Sequence, residues 1–115
     1  MTWIPLTDEG KFNEIIRLSH EKPQVIFKHS TRCSISSVAM RRLENATCHA
    51  PIDFHYLDIF RHRELSNTIA DALDVYHESP QVILIIKGAC VYEESHLGIS
   101  MDEICELSVT SAMHD

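Results

Sequence analysis

Residues 23–46 read PQVIFKHSTRCSISSVAMRRLENA, and this stretch decides most of the fold. Val25-Ile26-Phe27 is a short apolar run entered through Pro23 and rich in β-branched side chains, the composition of a buried strand. From Ser34 to Ala46 the positions Ile35, Val38, Ala39, Leu43 and Ala46 recur at helical spacing, and that helix closes near the loop holding Pro51. Lys28-His29-Ser30-Thr31 bridge the two elements. Cys33 therefore falls where strand becomes helix.

Toward the amino terminus, residues 8–20 place Phe12, Ile15 and Ile16 on one helical face, with Thr7 as N-cap and Asp8 and Glu9 in the first turn. Toward the carboxyl terminus, Ile52, Phe54 and Tyr56 alternate with polar residues, the period of a strand with that face buried. Leu65, Ile69, Ala72 and Leu73 return to helical spacing. Val82 to Ile86 is apolar on both faces, as a central strand covered by helices on both sides must be. Lys87-Gly88 predicts a turn into Cys90-Val91-Tyr92, forming a hairpin. Ser100 and Glu103 form a capping box that opens a last helix with Ile104 and Cys105 inward. The order is α-β-α-β-α-β-β-α. Strands joined by a helix run parallel through a right-handed crossover and the last pair is antiparallel. The sequence thus predicts one α/β domain over residues 1–115, a four-stranded mixed sheet between helices in the thioredoxin-like order.

A chain of 115 residues with formal charge -7 is one domain long and poorly suited to phosphate-rich partners. Its best basic cluster, Arg61-His62-Arg63, is too short for nucleic acid or an anionic membrane surface. Its longest apolar run, residues 82–86, falls far short of the roughly 20 residues that cross a bilayer. Met1 to Glu9 carries neither the basic start nor the apolar stretch of a signal peptide, so the expectation is a cytoplasmic protein with reduced thiols. The cysteines lack the close pairing of structural zinc sites, and no metal is expected.

A cysteine at a helix start meets unpaired backbone N–H groups and the positive end of the macrodipole, both of which favour thiolate. Lowering a thiol pKa from ~8.5 to ~6 raises the thiolate fraction at pH 7 roughly 30-fold. Falling nucleophilicity takes back most of that gain, leaving about twofold for attack. The larger benefit is to departure, so the position suits a carrier that accepts a sulfur substituent and hands it on. The motif is Cys33-Ser34-Ile35-Ser36, with a hydroxyl where a resolving cysteine would stand. Ser36 forms no disulfide, but it can donate a hydrogen bond to a thiolate one turn away. A monothiol mechanism follows. Cys48, Cys90 and Cys105 default to small apolar packing, and whether one of them resolves Cys33 stays open at this level. His29 can turn toward the thiol or simply pack. Arg32 can favour the thiolate, hold a carboxylate of a small thiol, or do neither.

Lys28-His29-Ser30-Thr31-Arg32-Cys33-Ser34-Ile35-Ser36, then Ser66-Asn67, His77-Glu78-Ser79-Pro80-Gln81 and Ser95-His96, resemble in order and spacing the YtxJ-type monothiol bacilliredoxins. The resemblance covers nearly the whole chain. It implies a thioredoxin-like oxidoreductase that removes bacillithiol from mixed disulfides with protein cysteines. Cys33 and Ser36 match the redox pair of positions, and Thr31, Arg32, Ser79 and Pro80 the substrate-binding surroundings. Pro80 matches a proline that is cis and faces the cysteine in such folds. His77 and His96 come near the active edge only through this match. Ser34 stands in place of the usual proline after the redox cysteine, and Leu97 in place of a common tryptophan. The expected co-substrate is bacillithiol or a similar small thiol, with no tightly bound cofactor, and the expected partners are S-thiolated client proteins. The alternative is a thioredoxin-like interaction module or stress thiol sensor, modified at Cys33 without turnover.

Overall fold

Two strands buried along their whole length, β2 (Gln24–His29) and β4 (Gln81–Ile86), pair antiparallel and form the spine of the sheet. Around them the computed structural model, which describes residues 1–113, sets β1 (Trp3–Pro5), α1 (Glu9–Leu18), α2 (Ser34–Asn45), β3 (Asp53–Asp58), α3 (Arg63–Leu73), β5 (Ala89–Ser95) and α4 (Met101–Met113). A 3-10 turn at His96–Gly98 separates β5 from α4. The sheet order is β1-β3-β2-β4-β5, with β1 and β2 parallel to β3 and the last two pairings antiparallel.

Alternation along the central strands divides the core in two. Val25, Phe27, Val82, Leu84 and Ile86 pack with Ala39 and Leu43 of α2 and with Met101 and Ile104 of α4. Ile26, Ile83 and Ile85 point the other way, to Phe12 and Ile15 of α1 and Ile69 of α3. Truncating one of the large side chains here, a Leu, Ile, Met or Phe, to Ala costs about 2–5 kcal/mol.

The sheet has five strands where four were expected. β1 is three residues long, ends in Pro5, and lacks any alternating run, so it has no sequence signature; it forms because Trp3 and Pro5 find Phe54 and Tyr56 as parallel partners on β3. The first helix is capped by Asp8 and not Thr7: the Asp8 carboxylate accepts the Lys11 backbone N–H at 2.8 Å. On β3 the deeper face is His55 and Leu57, while Phe54 and Tyr56 are half-buried under Trp3. His55 is tolerated there because its Nε2 bonds to Gln24 Oε1 at 2.7 Å. The expected hairpin turn is present: Lys87 and Gly88 both take positive φ, 53° and 80°, the pattern of a type I′ turn. Both turn N–H groups donate to Ser19 at the end of α1. Ser100 Oγ accepts the Glu103 N–H as the capping box requires, but the Glu103 carboxylate turns away to the Tyr92 hydroxyl.

The largest departure lies in the cysteines. Cys48, just past α2, is disulfide-bonded to Cys105 of α4, with the Cα atoms 5.8 Å apart. Sequence spacing hid the pair because 57 residues separate them and only the packing of α4 beside the end of α2 brings them together. Their expected role as reduced, apolar packing residues is corrected accordingly.

Candidate functional site

β2 delivers the chain to one end of the sheet, where Ser30-Thr31-Arg32-Cys33 forms a turn closed by the Cys33 N–H donating to the Ser30 carbonyl at 3.2 Å. Cys33 is the N-cap of α2, with extended backbone angles of φ -111° and ψ 120°, and its carbonyl accepts the first helical N–H from Ser37. Its side chain makes no capping bond and is partly exposed. No acidic residue occupies the first turn of α2. Negative charge on this sulfur would therefore meet the positive end of the helix unopposed by a neighbouring carboxylate on that turn.

Ser36 lies wholly buried in the first turn. Its hydroxyl is 2.5 Å from His29 Nδ1 and accepts the Ser30 N–H at 3.1 Å. The donation to Cys33 expected from the sequence thus depends on the imidazole. With the ring proton on Nε2, the Ser36 hydroxyl donates to Nδ1 and is occupied. With the proton on Nδ1, the ring donates and the hydroxyl hydrogen is free to turn toward the sulfur. His29 is held between Phe27, at 5.6 Å between ring centroids, and Tyr56, at 5.4 Å. Burial lowers its pKa, against a partial pull upward from Asp58 and Glu44.

Pro80 stands at the same end of the sheet, because β4 begins with Gln81 opposite Lys28 of β2. The Ser79-Pro80 bond is cis, as the resemblance implied. The Pro80 carbonyl accepts the His96 N–H at 2.9 Å, which folds the 3-10 turn back over the proline. That turn also leans on α2, where Arg42 Nη1 donates to the Leu97 carbonyl at 3.2 Å. The Ser79 hydroxyl is buried and has no hydrogen-bond partner. Thr31 and Arg32 are exposed on the turn before the thiol, and the Arg32 guanidinium lies 4.0 Å above the Phe60 ring. All six expected site residues, Thr31, Arg32, Cys33, Ser36, Ser79 and Pro80, lie on segments that meet at this end.

Beneath this surface lies a group the sequence reading passed over. Lys28, expected to end the strand as a polar residue, is fully buried within β2. Its Nζ donates to the Ser66 carbonyl at 3.2 Å and to His77 Nδ1 at 3.4 Å, and the Ser66 hydroxyl bonds to the same His77 nitrogen at 3.1 Å. Burial brings the Lys28 pKa down to about 8. His77 is lowered by burial and by the charges of Lys28 and Arg63. His77 thus anchors the loop that leads to Ser79-Pro80. Its neighbour Glu78 faces His96 across the loop at 3.7 Å. The signal available in the sequence was the fixed distance of Lys28 and His29 from Cys33 at the end of a buried strand.

The other sulfurs are remote from Cys33. Cys48 follows the far end of α2, a helix of 12 residues that spans about 18 Å at 1.5 Å per residue. Cys105 is bonded to Cys48 and shares that location. Cys90 pairs with Ile85, which pairs with Gln24 at the start of β2, so about 17 Å of strand separate its level from His29. A disulfide needs Cα atoms within about 7 Å. None of the three reaches Cys33 in this fold, and burial moreover pushes the Cys90 thiol pKa up.

Among the described residues no group of three or more His, Cys, Asp or Glu side chains converges as a metal would require. No described helix is long and apolar enough to cross a membrane.

A lone cysteine at the N-cap after a central strand, with a cis proline at the same end of a sheet of this order, defines the site of a thioredoxin-fold thiol oxidoreductase. The comparisons agree. The family model described as "Monothiol bacilliredoxin BrxC" matches residues 4–104, and the chain belongs to that family. Among solved structures, a proposed oxidoreductase with a thioredoxin fold is similar at 29% identity and TM-score 0.72, over 96% of this chain and 92% of that one. Thioredoxin from Trypanosoma brucei brucei matches at TM-score 0.73 and 13% identity, over 99% and 93% of the two chains. Reduced thioredoxin pre-protein from Schistosoma mansoni matches at TM-score 0.72 and 14% identity, over 96% and 98%. These last two share the fold.

Proposed function

We propose that this protein is a monothiol oxidoreductase that removes a small thiol of the bacillithiol type from mixed disulfides with protein cysteines, using Cys33 as the carrier. The Cys33 thiolate attacks the small-thiol sulfur of the mixed disulfide, and the client cysteine leaves as a thiolate that takes up a proton. Cys33 now holds the small thiol in a disulfide. A second small-thiol thiolate attacks the carried sulfur, forms the symmetric disulfide and releases the Cys33 thiolate. Charge builds on Cys33 Sγ in that second step, where the amino-terminal end of α2 receives it. The observation that carries the reading is the isolation of Cys33 from the other sulfurs by a helix on one side and a strand on the other.

The surroundings fit such a substrate. Arg32, stacked on Phe60, keeps the edge of its guanidinium open to a carboxylate of the small thiol. The Ser79-Pro80 bond is cis, and the backbone before it suits pairing with an extended client segment. Clients in the cytoplasm carrying a bacillithiol adduct are the proposed partners.

The test is a client protein bearing one mixed disulfide, made in parallel with bacillithiol and with glutathione. Release of the client thiol is followed with time, and the adduct on the enzyme is mapped by mass. One reversible adduct on Cys33, resolved by added small thiol with multiple turnovers, is the expected result. An adduct that forms once and is never handed on would make the protein a thiol sensor and remove the catalytic reading.

A further inference from the structure

The sulfur pair at the opposite end of α2 has no part in the exchange chemistry just described. Cys48 lies in the irregular segment between α2 and β3, and Cys105 lies one turn into α4. Both are partly exposed. Cys48 also lines a surface cavity of about 580 Å³, walled by Thr47, Ala50 and Ile52 of its own segment, by Met101 of α4 and by the amino-terminal residues Met1 and Thr2. A small molecule in that cavity meets Cys48, while Cys105 is not among its lining residues.

We propose that Cys48–Cys105 is a second thiol–disulfide exchange site, addressed by a low-molecular-weight monothiol through this cavity and independent of Cys33. The incoming thiolate attacks Cys48 Sγ and forms a mixed disulfide there. The bond to Cys105 breaks, and Cys105 leaves with the electron pair and takes up a proton. A second thiol then displaces Cys48 and forms the symmetric small disulfide. The balance is one protein disulfide and two thiols giving two protein thiols and one small disulfide, a two-electron reduction supplied by the monothiol. Run backward, the same steps close the pair at the expense of the small disulfide.

What the bond holds makes this a clasp and not a requirement for folding. α4 keeps its place without it, because Met101, Ile104 and Ser108 are buried and Glu103 bonds to the Tyr92 hydroxyl. The segment at 46–52 has no regular structure, and the disulfide fixes it to α4. Reduction therefore frees this segment beside the cavity and leaves the sheet intact. Closure of a long loop restricts the unfolded chain, so the oxidised form melts at a temperature higher by about 10–20 °C.

The experiment uses the Cys33→Ser protein, so that no signal comes from the other site. It is equilibrated with graded ratios of reduced and oxidised glutathione, quenched by alkylation and mapped by mass. The expected result is reversible reduction of the pair under native conditions, a transient single adduct on Cys48, and an unchanged far-ultraviolet dichroism spectrum in the reduced form. An Ala50→Phe variant, which places a ring in the cavity beside Cys48 and narrows it, is expected to slow native reduction about tenfold while its reduction in urea keeps the parent rate. Reduction only at the rate of global unfolding, an adduct on Cys105, or no slowing by Ala50→Phe would each overturn the proposal.

Discussion

At its amino-terminal end α2 presents Cys33, a partly exposed cysteine that caps nothing and has no sulfur within bonding range; past its carboxyl-terminal end Cys48 is joined to Cys105. The same residue type is a free thiol at one end and half of a disulfide at the other. What differs is reach. Ser36, one turn from Cys33, carries a hydroxyl and is tied to His29, whereas α4 brings a sulfur to a Cα distance of 5.8 Å from Cys48. The fold sets the chemistry of each end by what it places within about 7 Å.

This contrast breaks most simply at the free thiol. Cys33→Ser is expected to lower exchange with a small-thiol mixed disulfide at least about a thousandfold while leaving the melting temperature within a few degrees. Loss of both properties together would mean that Cys33 has a structural role. The converse change, Cys48→Ala with Cys105→Ala, is expected to spare exchange within about twofold and to cost roughly 4 kcal/mol of stability, the loop-closure value for a 57-residue separation. Urea titration and the exchange assay on the same preparation check both halves.

A smaller effect sharpens the description of the exchange end. Lys28 has its pKa lowered by burial from 10.5 to about 8. Below pH 8 the amine is charged in both folded and unfolded chains, and folding bears the whole cost of burying the ammonium, about 3 kcal/mol at 1.36 kcal/mol per pKa unit. Between pH 8 and 10.5 the folded chain sheds its proton first, so stability from this group rises with pH. Lys28→Met is therefore expected to stabilise the protein at pH 7 by about 1–3 kcal/mol, less whatever the bonds to Ser66 and His77 contributed. The gain should shrink in denaturant titrations at pH 10. A gain independent of pH would show that charge burial is not its cause.

The smallest expected effect concerns His29. His29→Ala should slow exchange about three- to tenfold, the worth of one buried hydrogen bond that orients the Ser36 hydroxyl. His29→Asn, whose amide reaches the position of Nδ1, should recover most of the rate and change its pH profile, since an amide does not titrate. Equal rates for the two variants would leave His29 as packing between Phe27 and Tyr56.

Much of this was legible in the sequence because it is written in local periodicity. The position of Cys33 followed from one apolar run meeting one helical repeat, and the β4–β5 hairpin from Lys87-Gly88. The cis bond at Ser79-Pro80 came only through the family resemblance, as local residues carry no mark of it. The features that were missed depend on contacts across long separations. β1 exists through its pairing with β3, and Cys48 finds Cys105 through helix packing. Gln24, Lys28 and His29 are buried polar residues whose partners lie on β3, α3, α2 and the loop before β4. Polarity alone marked them as strand ends, and only their hydrogen bonds explain why the strand continues through them.

The missed strand β1 also bears on where another extended chain can pair with this sheet. Sheet edges invite aggregation and strand addition, and this molecule blunts both. One edge is three residues long and closes on Pro5, which has no N–H to offer; the other, β5, carries Glu93 and Glu94 within a protein of net charge -7. Neither margin is a ready template for another chain. On the function proposed above, an extended client is left to dock across the loops at the Cys33 end, so the same blunted edges that disfavour strand addition between copies also favour approach to that sulfur.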